Sequence, residues 1–206
     1  MADVKHFDPD AALDTVVRLF WQRGVASTGV QDVVTATGVN RSSLYATFGD
    51  KQALYRAALL RYTELHSRPA FRHLAEDGRG LPAVAAFFDG LIAARCSGPY
   101  ARWGCLIANA HVGAGTGGNP EDGDPEVRTL LDAHHEWLRE ALRTALLGAA
   151  ERGQLAPGVD PASAAGVLAL LAYGVNLRSR AGADAAALTD SVRAALAPLA
   201  APAARS

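Results

Sequence analysis

The sequence predicts an all-α fold, and three observations support this prediction. Apolar residues recur every three to four positions through most of the chain, which is the spacing of a buried helix face. No run alternates strictly between apolar and polar residues, as a half-buried strand would. Alanine, leucine and arginine, which favour helices, dominate the periodic segments. Half of the 206 residues are hydrophobic, which is enough for a well-buried core.

Four helices are predicted in the first third of the chain, because each follows a side chain that can cap it. The predicted spans are 9–23, 30–37, 41–48 and 51–66, with Asp8, Thr28, Asn40 and Asp50 as the caps. Glycines are expected to end the first two helices, at Gly24 and Gly38. The fourth is expected to end before Pro69, since proline disrupts a helix interior.

Six further helices are predicted in the remainder of the chain. Their spans are about 69–77, 81–96, 103–113, 125–152, 161–181 and 185–197. Residues 113–124 read GAGTGGNPEDGD, a glycine-rich and polar composition that is typical of a mobile loop. The last residues, APAARS, are expected to fray.

Charge and composition narrow the classes of function. The net charge is −1, and residues 1–51 carry five basic and six acidic groups, which argues against a non-specific nucleic-acid coat. Two cysteines are too few for a disulfide scaffold. The N-terminus is polar and no apolar run is long enough to cross a bilayer, so a cytoplasmic location without a membrane partner is expected.

Residues 24–54 predict a helix-turn-helix unit. Two short helices meet at Gly38, which can take the left-handed conformation of a tight turn. Val33, Leu44 and Phe48 fall at positions that pack inward, and Val39 is expected to pack into the core beneath the turn. The other face of the third helix carries small or hydrogen-bonding side chains and one arginine, a composition typical of a helix that enters the major groove. Its members are Arg41, Ser42, Ser43, Tyr45 and Thr47.

This segment resembles the N-terminal domain of the TetR family of transcriptional regulators. The residues that carry the resemblance are Gly24, Thr28, Val33, Gly38, Val39, Leu44, Tyr45, Phe48, Lys51 and Leu54. Val34, Thr37 and Thr47 depart from the residues that are common in the family. The alternative is a helical hairpin without a DNA role.

The resemblance implies a role for each matching residue. Thr28 and Lys51 would contact phosphates, Lys51 at the start of the fourth helix, where the helix dipole also favours an anion. Tyr45 would contact a phosphate or a thymine methyl group, unless it is mainly a core residue. The bases or nearby phosphates would be met by Arg41, Ser42 and Ser43, with Thr47 completing the set. Lysine occurs only at positions 5 and 51, so the choice of lysine at position 51 supports a role for Lys51 independently of the resemblance.

The resemblance also implies a division of the chain. Residues 1–50 would form a three-helix DNA-binding domain, and residues 51–206 a larger helical domain for ligand binding and dimerisation. Apolar residues at helical spacing in the last two helices are candidates for a four-helix dimer interface, although they could instead pack within their own subunit. They are Val167, Leu170, Leu171, Gly174, Leu177, Leu188, Val192 and Leu196.

Aromatic, apolar and a few polar residues of the second domain are candidates for the wall of a ligand cavity. They are Phe87, Phe88, Leu91, Trp103, Cys105, Asn109, His134, Trp137 and Tyr173. The alternative for each aromatic residue is a place in the core.

The run from Trp103 to Asn109 resembles the start of a helix in a TetR subgroup, some members of which respond to oxidants or electrophiles through the cysteine. Cys105 is therefore a candidate redox or electrophile sensor, and the alternative is a small buried core residue.

No phosphate loop, nucleophile elbow or zinc-type spacing occurs, so neither an enzyme, a metal site nor a cofactor is predicted. The predicted function is instead that of a homodimer that binds a palindromic operator in double-stranded DNA. The family implies a repressor that a small-molecule inducer releases. A helical dimerisation module without DNA binding is the remaining alternative.

Overall fold

The structure, a computed structural model, describes residues 7–114 and 124–202. Within these ranges the chain is mainly α-helical, and its β-structure is an isolated bridge between Leu155 and Ala200. The helices are α1 Pro9–Arg23, α2 Val30–Thr37, α3 Arg41–Phe48, α4 Lys51–Tyr62, α5 Arg68–Glu76, α6 Leu81–Cys96, α7 Leu106–Ala114, α8 Pro125–Glu151, α9 Pro161–Arg180 and α10 Ala185–Leu196. The predicted all-α class is confirmed.

Three of the four predicted caps in the first third of the chain are confirmed. Asp8 accepts from the backbone N–H of Asp10, at 2.9 Å, at the start of α1. The side chains of Asn40 and Asp50 each accept from a backbone N–H three residues ahead, at 2.8 Å, at the starts of α3 and α4. These bonds satisfy N–H groups that have no partner inside their helix.

The predicted cap at Thr28 is wrong. Gly29 caps α2, and its backbone N–H donates to the Asp32 carboxylate at 2.7 Å. The hydroxyl of Thr28 instead donates to the carbonyl of Gly24 at 2.7 Å, across the turn that leads out of α1.

The fourth helix ends before Pro69 as predicted, but at Tyr62 instead of residue 66. After Tyr62 the chain continues through a five-residue π-helical turn, Thr63–Ser67, into α5, and Pro69 lies in the first turn of α5. Proline lacks an N–H and its ring clashes with the carbonyl four residues earlier in a regular α-helix. The wider π turn changes that hydrogen-bond pattern and lets the helical path continue.

The segment before α7 differs from its prediction by three residues. Arg102 and Gly104 have φ angles of +65° and +68°, a left-handed conformation that a right-handed helix excludes. The helix therefore begins at Leu106. The predicted loop of residues 113–124 lies mainly outside the described residues, as do four of the six residues of APAARS, for which fraying was predicted.

The chain divides into two compact units. The described part of the first comprises residues 7–66, 105–114 and 124–132, and that of the second comprises residues 67–104 and 133–202. The first unit thus extends beyond residue 50, where the sequence-based boundary was placed. The assignment of residues 1–50 to DNA binding stays a prediction.

Aromatic residues fill the core of the first unit, where α1 packs against α2, α4 and α7. Phe20 and Trp21 of α1 are buried, and they form edge-to-face contacts with Tyr55 and Tyr62 of α4 at centroid distances of 5.7 and 4.9 Å. This burial of large apolar surface fixes α1 against α4.

In the second unit α6 packs against α9 and α10. Phe88, Leu142 and Leu168 are among its fully buried core residues. None of the helices in the described ranges is both long and apolar enough to cross a membrane.

Candidate nucleic-acid interface

The turn between α2 and α3 sets the geometry of the helix-turn-helix unit. Gly38 takes the left-handed conformation, with φ +68° and ψ 6°, and its N–H donates to the Val34 carbonyl. Directly after the turn Val39 is buried, and Leu44 buries the inner face of α3. The opposite face of α3 is therefore left toward solvent.

The solvent face of α3 carries a preformed cation–π pair. The guanidinium of Arg41 lies 5.3 Å from the centre of the Tyr45 ring. Arg41 is exposed and Tyr45 is half-buried. The ring therefore supports the guanidinium and limits the side-chain freedom that binding would otherwise have to freeze out.

Local hydrogen bonds hold the polar residues beside this pair. The side-chain oxygen of Asn40 accepts from the Ser43 N–H at 2.8 Å and from the Ser42 hydroxyl at 2.7 Å. The Thr47 hydroxyl donates to the Ser43 carbonyl at 3.0 Å. From the sequence, Asn40 was predicted only as the cap of α3, and its role in holding Ser42 on this face was not predicted.

Lys51 is placed at the first position of α4, just after α3. It is half-buried, and within the part of the chain that the structure describes its ammonium forms no ion pair with a carboxylate. The ammonium charge is thus available to an external anion, and the dipole of α4 also favours an anion at this end of the helix.

Thr28 does not fit its predicted contact with phosphate. Its side chain is 0% exposed, and its hydroxyl is bonded to the Gly24 carbonyl. Thr28 therefore stabilises the turn before α2, and its buried side chain is not placed to contact a phosphate.

The arginines of α4 are held in ion pairs within the first unit. Arg61 Nε lies 2.8 Å from an Asp14 carboxylate oxygen, which joins α4 to α1. Arg56 contacts Asp124 at 2.5 Å and Glu126 at 2.9 Å, at the start of α8. These two charges are compensated inside the protein, so they do not supply a basic DNA-facing patch.

The predicted ligand-binding residues are distributed over both units. Cys105 and Asn109 belong to the first unit, at the start of α7. In the second unit Phe88 is fully buried in the core, with Phe87, Leu91 and Tyr173 packed partly buried against it. Tyr173 stacks near His135, at 5.7 Å between ring centroids.

His134 is buried, and a hydroxyl and an aromatic ring surround it. Its Nε2 lies 2.9 Å from the Ser67 hydroxyl, and its ring contacts Phe71 at a centroid distance of 5.2 Å. The ring of Phe87 also lies near that of Phe71, at a centroid distance of 6.4 Å. Two of the predicted residues, Phe87 and His134, are thereby brought together around a residue that the sequence reading did not single out.

Trp103 and Trp137 occupy different surroundings in the second unit. The Trp103 ring lies 5.1 Å from that of Tyr100, and its carbonyl accepts from Arg180 at 2.7 Å. Trp137 lines a cleft of about 330 Å³ between α5 and α8. Trp137 is one of the predicted ligand-binding residues, and the others do not line this cleft.

Both cysteines are free thiols. Cys105 is buried immediately before α7, with 6% of its surface exposed, and Cys96 is half-buried at the end of α6. The residues that the structure describes contain no cluster of three histidine, cysteine or acidic side chains that could hold a metal ion.

Comparison with protein families agrees with the helix-turn-helix geometry. Residues 12–58 match the model for bacterial regulatory proteins of the tetR family. Residues 80–195 match the model for a tetracyclin repressor-like C-terminal domain. The chain belongs to the TetR family. It is a DNA-binding transcriptional regulator, and its relatives are regulators rather than enzymes.

Individual relatives align along most of this regulator. It is 32% identical to the transcriptional repressor ComR of Escherichia coli over 183 residues, which is 87% of this chain and 83% of ComR. A second relative is the uncharacterised regulator YezE of Bacillus subtilis, at 28% identity over 73% of this chain and 74% of YezE.

Solved structures show the same fold. A cysteine variant of the TetR family regulator CifR, in complex with 26-base-pair operator DNA, superposes with a TM-score of 0.81 at 26% identity and covers 96% of this chain and all of CifR. Reduced NemR of E. coli has a TM-score of 0.76 at 24% identity, over 95% and 98% of the two chains.

Proposed function

We propose that this regulator reads operator DNA with the solvent face of α3. The observation that carries the proposal is the Arg41–Tyr45 pair, which is preformed on the face that Leu44 leaves exposed. An arginine can bond a guanine edge with two hydrogen bonds, and a tyrosine ring can contact a thymine methyl group or a phosphate. Ser42 and Ser43 lie beside the pair and add short hydrogen-bonding groups.

Lys51 has a positioning role in this proposal. Its ammonium and the first N–H groups of α4 would bind a backbone phosphate and so fix the register of α3 in the groove. Since phosphates carry no sequence, Lys51 would contribute affinity and Arg41 specificity.

A second copy of the chain is the proposed partner of α9. Val167, Leu170 and Leu177 are 63%, 66% and 40% exposed, and they lie on one helix face at intervals of three and seven residues. Gly174 completes this face, and a Cβ placed there would meet no atom within 4 Å. An apolar stripe with this spacing fits the same stripe of a symmetry-related helix.

The contribution of α10 to this interface differs from the prediction. Leu188 and Val192 are 6% and 4% exposed because they are buried against their own subunit. The proposed interface is therefore built on the Val167–Leu177 stripe. Two copies related by a two-fold axis would present two α3 helices to the two halves of a palindromic operator.

We propose repression as the direction of regulation, since the relative ComR is a repressor. The regulator would act in the cytoplasm, without catalytic activity. A small-molecule inducer bound to the second unit would release it from DNA. Release requires that the inducer bind the DNA-incompetent conformation more tightly than the DNA-bound one.

Operator binding by α3 variants tests this proposal. An operator selected from random DNA would be titrated by fluorescence anisotropy with wild type, Arg41→Ala and Tyr45→Ala. Each substitution is expected to weaken operator binding by about tenfold or more while helical content stays unchanged. The matched control is Arg18→Ala, which removes an exposed arginine of α1. Equal affinities for all four proteins would contradict the assignment of α3 as the reading helix.

A cysteine switch is the second candidate for the signal, favoured by the position of Cys105 immediately before α7. Mass spectrometry and operator release after mild peroxide or quinone treatment would compare wild type with Cys105→Ser and Cys96→Ser. The switch requires modification at Cys105 and release that Cys105→Ser abolishes, and an unmodified Cys105 would rule it out.

A further inference from the structure

The cleft between α5 and α8 is built from one face of each helix. Both contributions have the spacing i, i+3, i+4, i+7, so that two matching rows of side chains line it. The rows are Arg68, Phe71, Arg72 and Ala75 on α5, and Trp137, Glu140, Ala141 and Thr144 on α8. Alanines at two of these positions leave space where larger side chains would pack, and the resulting volume is about 330 Å³.

Aromatic and cationic groups meet inside this cleft. The Arg68 guanidinium lies 4.3 Å from the centre of the Trp137 ring. This contact holds a planar cation against a planar apolar surface. Phe71 adds a second aromatic wall on the α5 side, next to the two arginines.

The charges of the two arginines are uncompensated. Across residues 7–114 and 124–202, neither Arg68 nor Arg72 lies within 4 Å of a carboxylate oxygen. Glu140 is bound by Arg143 through two hydrogen bonds of 2.6 and 2.7 Å, so its charge is already compensated. The cleft thus presents two guanidinium groups that have no carboxylate partner among the described residues, and that of Arg68 lies against Trp137.

We propose that this cleft binds a small planar aromatic carboxylate. Its ring would lie against Trp137 and Phe71, and its carboxylate would accept charge-assisted hydrogen bonds from Arg68 and Arg72. A volume of about 330 Å³ is at the lower end for ligand sites, which fits one ring or two fused rings. The inference rests on the proposed function, because it names the chemical class of the inducer.

Direct binding of defined probes tests the cleft. Benzoate and 1-naphthoate would be titrated into the full-length protein by calorimetry, with benzamide and 1-naphthamide as uncharged analogues. Saturable binding of the carboxylates is expected, with at least about tenfold weaker binding of the amides and of the variants Arg68→Gln and Arg72→Gln. Ala75→Leu, which fills the cleft without removing charge, is expected to abolish binding.

The control variant is Arg193→Gln, which neutralises an exposed arginine of α10 outside the cleft. It should bind the carboxylates as wild type does. Circular dichroism of each variant confirms that it is folded. Absence of saturable binding to wild type, or unchanged affinity in Arg68→Gln, Arg72→Gln and Ala75→Leu, would overturn the proposal.

Operator binding separates this inference from the proposed function. A wild-type protein that binds its selected operator but neither carboxylate keeps the regulator proposal and overturns the cleft proposal. A protein that binds carboxylate through Arg68 and Arg72 but does not bind DNA selectively supports the cleft and overturns the regulator proposal. Operator release by the probe, lost in Arg68→Gln, supports both.

Discussion

At the scale of a single residue, Lys51 is expected to contribute to the affinity for DNA but not to the choice of DNA sequence. It stands at the first position of α4 without a carboxylate partner among the described residues. Lys51→Ala is expected to weaken binding to all DNA sequences about equally, because one phosphate contact is lost. The slope of log K against log salt concentration should fall in magnitude by about one unit.

Anisotropy titrations of Lys51→Ala over a range of salt concentrations would measure this slope on the operator and on scrambled DNA. Lys51→Arg is the conservative control, and it should keep the wild-type slope. A slope unchanged by Lys51→Ala would show that the ammonium does not bind phosphate.

The structural roles of residues in and beside the turn could be predicted where the side chain suits only one role. Gly38 was predicted from the left-handed conformation that the turn needs, and Val39 and Leu44 from their apolar side chains. Thr28 was not predictable in this way, since a hydroxyl can cap a helix, contact phosphate or bond a carbonyl. Its bond to Gly24 depends on the path of the chain after α1.

At the scale of the elements, an ion pair joins the start of α8 to α4. The hydrogen bond from Arg56 holds the pKa of Asp124 below its ordinary value of 3.8, helped by backbone N–H groups of α8 and opposed by partial burial. The charged form of Asp124 is therefore stabilised by folding. Its contribution to stability is present above the ordinary pKa and is lost as the pH falls through the lowered one.

Asp124→Asn tests this ion pair, because asparagine can still cap α8 but carries no charge. The variant is expected to have a lower free energy of unfolding than wild type near neutral pH. The difference should shrink as the pH falls below about 4, where Asp124 itself becomes neutral. Urea unfolding at several pH values would measure it.

Glu126→Gln is the matched control for Asp124→Asn, since Glu126 contacts the same arginine but its side chain is 75% exposed. Its effect on the free energy of unfolding should be small at every pH. A difference between wild type and Asp124→Asn that is independent of pH would contradict the assigned role of the charge.

Helix boundaries were predictable from caps, prolines and periodicity, and they are confirmed to within three residues except at the end of α4. There the π turn Thr63–Ser67 carries the helical path past Pro69. The sequence pattern could not show this, because the choice between ending and widening a helix at proline depends on packing at both ends of the turn.

For the whole molecule, the exposed stripe of α9 is the basis of the proposed dimer. Leu170→Glu would place a charge at the centre of that stripe, and the residue is 66% exposed, so packing within the subunit is not disturbed. We expect sedimentation velocity to show a dimer for wild type and a monomer for Leu170→Glu at micromolar concentration.

The control for the dimer test is Val112→Glu, an apolar residue of α7 with 55% exposure. It should leave the oligomeric state unchanged. A monomeric wild type, or a dimeric Leu170→Glu variant, would contradict the α9 interface.

The sequence placed Val167, Leu170 and Leu177 of α9 at helical spacing on one candidate interface face, and these residues are exposed, whereas the equally apolar Leu168 and Ala172 are buried. The residues of a ligand cavity were harder to predict, because apolar side chains occur both in a cavity wall and in the core. Phe88 has the composition expected of a cavity wall, but packing places it inside the core, and the α5–α8 cleft contains arginines that hydrophobic periodicity does not identify.

The whole molecule is proposed to act as a sequence-specific DNA-binding regulator that reads DNA through α3. The most direct test is anisotropy of the wild-type protein on DNA flanking its own gene and on a scrambled fragment, at about 50 and 200 mM salt. We predict salt-sensitive binding that favours the natural fragment by at least about a thousandfold and that Arg41→Ala largely removes. Equal affinity for the two fragments would contradict the claim.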